Sequence, residues 1–138
     1  MNPTRAQEFL RINHHAVLST FRVDGCVQLS PVIVALDGAG RVVLSTTEAR
    51  AKTRNLRRDP IVSACVFTEP FFGPWVQVEG VAEVLPPNVG LDPEGLKNLY
   101  EALRGERPDW EAFMSSLHAD GRVAIRFAID RASGTAGT

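Results

Sequence analysis

Apolar residues alternate in short runs through most of the first 85 residues and recur at helical spacing after residue 93. Ala16-Val17-Leu18-Ser19-Thr20-Phe21 reads as a strand, and Val23-Asp24-Gly25 is the turn that follows it. A second strand is predicted over 27–36. Asp37-Gly38-Ala39-Gly40 then turns the chain into a third over 41–46. Ile61 to Thr68 is β-branched and apolar on both faces, the pattern of a central strand buried on both sides. Trp75 to Leu85 alternates as a further strand, and Arg122 to Asp130 as the last.

The helical signals are fewer. Residues 3–13 predict a short N-terminal helix that presents Phe9, Leu10 and Ile12. Over 93–118, Leu96, Leu99, Tyr100 and Leu103 share one face, and Trp110, Phe113, Met114 and Leu117 another, with an interruption at Gly105 to Pro108. The segment 86–93 reads as a loop, and the Ala/Ser/Gly/Thr tail over 132–138 as frayed. Six strands in hairpin order with helices between and after them predict a mainly β fold: an antiparallel β-barrel with helical appendages, in a single domain over 1–138.

Composition narrows the function classes. The chain has 138 residues, 44% hydrophobic and 22% charged, with net charge −1. That balance argues against a general nucleic-acid binder. No apolar run is long enough to span a membrane. Cys26 and Cys65 make no metal-binding spacing and no disulfide framework, so a reducing cytoplasm is the expected setting.

Against that neutral background, five of the fifteen Lys and Arg residues fall within 50–58. The run Arg50-Ala51-Lys52-Thr53-Arg54-Asn55-Leu56-Arg57-Arg58-Asp59-Pro60 predicts a helix that stops before the proline. It follows the strand end Ser45-Thr46-Thr47. A helix N-terminus presents unpaired N–H groups and attracts anions, so Arg50 and Lys52 in the first turn oppose the helix dipole unless an anion joins them. Ser45 and Thr46 add hydroxyls beside that end. The arrangement reads as a phosphate cradle without a glycine-rich loop, or as a solvated basic face with an ordinary threonine cap; the residues alone leave both open. There is no credible catalytic set: no Ser/His/Asp spacing, no base beside either cysteine, and three histidines (His14, His15, His118) with structural explanations.

Three stretches together resemble the pyridoxamine-phosphate-oxidase-like split-barrel superfamily: Gly25-Cys26-Val27-Gln28-Leu29-Ser30-Pro31-Val32, Val43-Leu44-Ser45-Thr46 and the basic run through Pro60. The Ala-Lys-Thr-Arg-Asn-Leu-Arg-Arg-Asp-Pro signature is similar to its deazaflavin-dependent branch. The resemblance implies a homodimer with cofactor sites at the subunit interface, coenzyme F420 as cofactor with FMN as the alternative, and no metal. It implies that Arg50 and Lys52 hold the cofactor phosphate beside Ser45 and Thr46. Gln28, Ser30, Pro31 and Val32 would line the ring, and Trp75 would reach it from the other subunit. Asn55 is expected to support the helix, and Arg122 to make a surface salt bridge in preference to meeting an acidic cofactor tail. The implied activity is hydride transfer to a small conjugated or heteroaromatic acceptor; the alternatives are an FMN-dependent oxidase and a non-catalytic flavin, haem or bilin binder.

Overall fold

The computed structural model describes residues 1–103 and 109–136. Nine strands lie among them in two antiparallel sheets, so the mainly β, split-barrel expectation holds while the count of six strands does not. The strands are β1 (His15–Phe21), β2 (Val27–Ile33), β3 (Ala35–Leu36), β4 (Val42–Thr47), β5 (Ile61–Phe67), β6 (Trp75–Val81), β7 (Glu83–Leu85), β8 (Arg122–Phe127) and β9 (Arg131–Gly134). Their orders are β2-β1-β5-β6-β9 in one sheet and β3-β4-β8-β7 in the other. The helices are α1 (Pro3–Leu10), α2 (Ala51–Arg58), α3 (Pro87–Gly90), α4 (Pro93–Ala102) and α5 (Trp110–Leu117).

The extra strands arise where the chain passes from one sheet to the other. The strand expected over 27–36 breaks at Val34, whose N–H donates to the His14 carbonyl. Val34, Ala35 and Leu36 are buried in succession, which no single-faced strand allows. The strand expected over 75–85 likewise breaks at Ala82, whose N–H donates to the Pro60 carbonyl. Gly80 sits just before that corner, and a Cβ there would run into the Ala128 carbonyl. The last strand ends at Phe127 rather than Asp130. The first part of the tail expected to fray belongs to β9 instead, pairing Ala132 with Val78 and Gly134 with Val76, and residues 137–138 lie outside the described residues. The expected loop over 86–93 contains α3, and the expected interruption at 105–108 lies outside the described residues.

Alternation sets the core. Leu18, Val62, Ala64, Val66, Val76 and Val78 meet Leu44, Ile125 and Phe127 inside the barrel, joined by Leu10 of α1 and Leu56 of α2. Strand β5 is central but buried on one face only. Ser63, Cys65 and Phe67, on its other face, remain half exposed, so the doubly buried expectation is corrected. A second cluster forms outside the four-stranded sheet, where Val43 and Ala124 pack against Leu99, Phe113 and Leu117 of α4 and α5. Those helices start on side-chain caps: Asp92 accepts from Gly95 N–H at 2.7 Å and Asp109 from Ala112 N–H at 2.8 Å. No described helix is long and apolar enough to cross a membrane.

Candidate functional site: a cationic cleft at the start of α2

The β4–α2 junction is built by backbone needs. Thr47 ends β4, Arg50 N–H donates back to its carbonyl, and Thr53 Oγ1 donates to the same carbonyl at 2.7 Å. This clamp ties the start of α2 to the end of β4. Arg50 is the residue before the first helical turn, not a member of it, and makes no side-chain cap. Its guanidinium makes no hydrogen bond or ion pair among the described residues. Lys52, in the first turn, is half-buried; burial and then the nearby Arg50 charge hold its ammonium below the usual lysine range.

A cleft of about 650 Å³ opens beside this junction. Edge strand β2 contributes Ser30, Pro31, Val32 and Ile33 to its wall. Strand β4 contributes Ser45 and Thr46, the start of α2 Arg50 and Lys52, and β8 Arg122. Leu99, Leu103, Phe113 and Leu117 give the apolar side. No acidic residue lines it among the described residues, so three cations face a space without a protein counter-charge. The Ser45 hydroxyl and Arg122 Nε are buried there without hydrogen-bond partners. The salt bridge expected for Arg122 does not occur among the described residues. A cleft with this donor set fits an oxyanion carried on a largely apolar body.

Seven of the nine residues singled out in the sequence line this one cleft: Ser30, Pro31, Val32, Ser45, Thr46, Arg50 and Lys52. Strand alternation puts Ser45 on the cleft face and Thr46, only 5% exposed, on the opposite face. Gln28 and Trp75 are not among the lining residues. Gln28 Oε1 accepts from Asn55 Nδ2 at 3.2 Å, and the same amide donates to the buried Thr20 Oγ1 at 3.0 Å. Asn55 thus ties α2 to the sheet. Trp75 starts β6, in the cross-strand row Ile33–His15–Phe67–Trp75, three strands from the cleft-lining Ile33, or roughly 14 Å.

The remaining basic residues of α2 face elsewhere. Arg57 grips Glu48 with two bonds of 2.7 and 2.6 Å, which holds that carboxyl below its usual range. Arg58 donates to the Phe21 carbonyl and to Asn55 Oδ1. What sequence reasoning missed is the wall from α4 and α5. Their apolar faces are visible in the sequence, but nothing local says that they wall the same cleft as β2 and the start of α2. No group of His, Cys, Asp or Glu able to hold a metal occurs among the described residues.

Solved structures share this architecture. A conserved hypothetical protein of Mycobacterium tuberculosis is 26% identical with a TM-score of 0.73, covering 97% of this chain and 84% of its own. An F420 reductase is 24% identical with a TM-score of 0.67, covering 92% of this chain and 94% of its own. The haem storage protein HutZ of Vibrio cholerae is 15% identical with a TM-score of 0.68, covering 94% of this chain and 92% of its own. The latter two likenesses, below a quarter identity, establish the fold alone. The sequence itself matches the profile described as pyridoxamine 5'-phosphate oxidase over residues 3–136. With the split barrel and the cationic cleft, that match makes the chain a member of the pyridoxamine 5'-phosphate oxidase family.

Proposed function

We propose that the chain is an oxidoreductase that holds coenzyme F420 in the cleft and serves hydride transfer to a small conjugated or heteroaromatic acceptor. The observation that carries this reading is a single cleft joining Arg50, Lys52, Arg122 and the Ser45 hydroxyl to an apolar wall, with no acid among its described lining residues. When bound, the deazaflavin supplies hydride chemistry at its C5. Arg50 and Lys52 hold the phosphate, and Ser30, Pro31 and Val32 lie against the ring. Leu99, Leu103, Phe113 and Leu117 keep water from one side. The likeness to an F420 reductase supports the choice of cofactor.

A second copy of the chain completes the site in this reading. The outer face of the five-stranded sheet leaves large apolar side chains uncovered among polar ones: Leu29 is 64% exposed, Val81 52% and Trp75 38%. In this reading those exposed apolar side chains serve as the docking surface for another copy, which would bring its own Trp75 to the assembly.

FMN is the second reading, favoured by the family match. Parallel fluorescence titrations with F420 and FMN separate the two. Mixing the reduced cofactor–protein complex with a panel of acceptors then separates an enzyme, which oxidises it, from a storage protein, which does not.

A further inference from the structure

The cations of the cleft approach from two sides. Arg50 and Lys52 stand at the start of α2. Arg122 enters from β8, where it pairs with Thr47 while Ser45 pairs with Ala124. Ser45, Thr47, Arg122 and Ala124 therefore share the face turned away from the barrel core, with Ser45 and Arg122 as diagonal neighbours. Ser45 Oγ and Arg122 Nε are the two buried side-chain polar atoms left without a partner among the described residues. Such atoms are rare in folded proteins, and two converging on one cleft wall define a place where a ligand acceptor belongs. The other hydroxyl on the cleft wall outside β2 and β4, Ser116 Oγ, is already spent on the Phe113 carbonyl at 2.7 Å.

We propose that Arg122 and Ser45 form a second oxyanion subsite, which takes a carboxylate or further phosphate-type group of the same ligand whose first acidic group sits at Arg50 and Lys52. This rests on the reading of the cleft as a cofactor site. A single phosphate diester balances at most the α2 side and leaves Arg122 without a counter-charge among the described residues. A guanidinium with a hydroxyl beside it suits a planar carboxylate, which accepts through both oxygens. The ligand class that follows is a polyanion: a phosphate-bearing ring with at least one more acidic group.

Arg122→Gln, Lys52→Ala and the double variant are titrated with F420, which carries a phosphate and carboxylates, and with the bare deazaflavin chromophore, which lacks both. Arg122→Gln is expected to lose roughly tenfold or more in F420 affinity while keeping its affinity for the bare chromophore. The two single losses multiply in the double variant, as they do for separate groups. F420 affinity within about twofold of native, or an equal loss for the bare chromophore, overturns the subsite. If native protein binds neither F420 nor FMN, the cofactor reading fails on its own account, and inorganic pyrophosphate reads the subsite instead. A thermal stabilisation by pyrophosphate that is present in native protein and lost in Arg122→Gln supports it. Equal stabilisation, or none in native protein, overturns it. The ligand-free Arg122→Gln protein is expected to melt no lower than native, because it removes a cation that has no ion-pair partner among the described residues. A clear drop would make Arg122 a structural residue and end the proposal.

Discussion

Ser45 and Arg122 sit diagonally across the β4–β8 ladder on its cleft-facing side, and each buries a polar atom that nothing in the described protein satisfies. An ordinary surface-helix account of the basic run explains neither. A bound anion explains both, and it also removes the conflict between Arg50, Lys52 and the α2 dipole.

Lys52→Ala should weaken binding of F420 by roughly 1.5–3 kcal/mol, since a charged hydrogen bond to phosphate is lost. Circular dichroism should show an unchanged fold, because Lys52 has no hydrogen-bond or ion-pair partner among the described residues. Isothermal titration checks the affinity. A loss of affinity for the bare chromophore as well would point to a distorted cleft.

Alkaline pH should weaken binding earlier than it would for an ordinary lysine. Burial and the Arg50 charge lower the Lys52 value in the free protein, and only the protonated ammonium pairs with phosphate. A bound anion raises that value again. Affinity is therefore flat below the lowered value of the free protein and falls as pH rises through it. Lys52→Arg, which keeps its charge, should flatten that fall. Affinity measured between neutral pH and the ordinary lysine range checks the sign.

Asn55→Ala should destabilise the fold by about 1–3 kcal/mol. It removes the donor to buried Thr20 Oγ1 and to Gln28 Oε1, and the acceptor for Arg58. Chemical denaturation measures the loss, and a neutral result would mean that water replaces the amide at this junction.

Gly80→Ala should cost roughly 1–3 kcal/mol or more by overpacking. The added methyl meets the Ala128 carbonyl and the Phe127 ring where the chain leaves the five-stranded sheet, and backbone cannot yield as a side chain can. The thermal midpoint of the ligand-free protein reads this directly.

Much of this was legible in the chain because it is local. Alternation in Val17–Phe21 and Val42–Thr47 marks strands whichever sheet they join, and the basic run with its proline stop marks α2. That Arg50, Lys52 and Ser45 line one cleft follows from a strand running straight into a helix. The corners at Val34 and Ala82 were not legible, since a strand that changes sheets keeps its β composition while its buried face rotates. Ala132 to Gly134 reads as a frayed tail because small residues carry no strand signal; pairing with β6 overrides that. Arg122 was misjudged for a related reason. Its surroundings are set by β4 and α5, and no neighbour in sequence reveals that no carboxylate of the described residues meets it.

Direct titration of the native protein with F420, followed by ligand fluorescence beside a parallel FMN titration, tests the cofactor reading most closely. The account predicts saturable binding of F420 at micromolar concentration, one site per chain, and weaker binding of FMN. A protein that unfolds cooperatively yet binds neither ligand up to about 100 μM would contradict it.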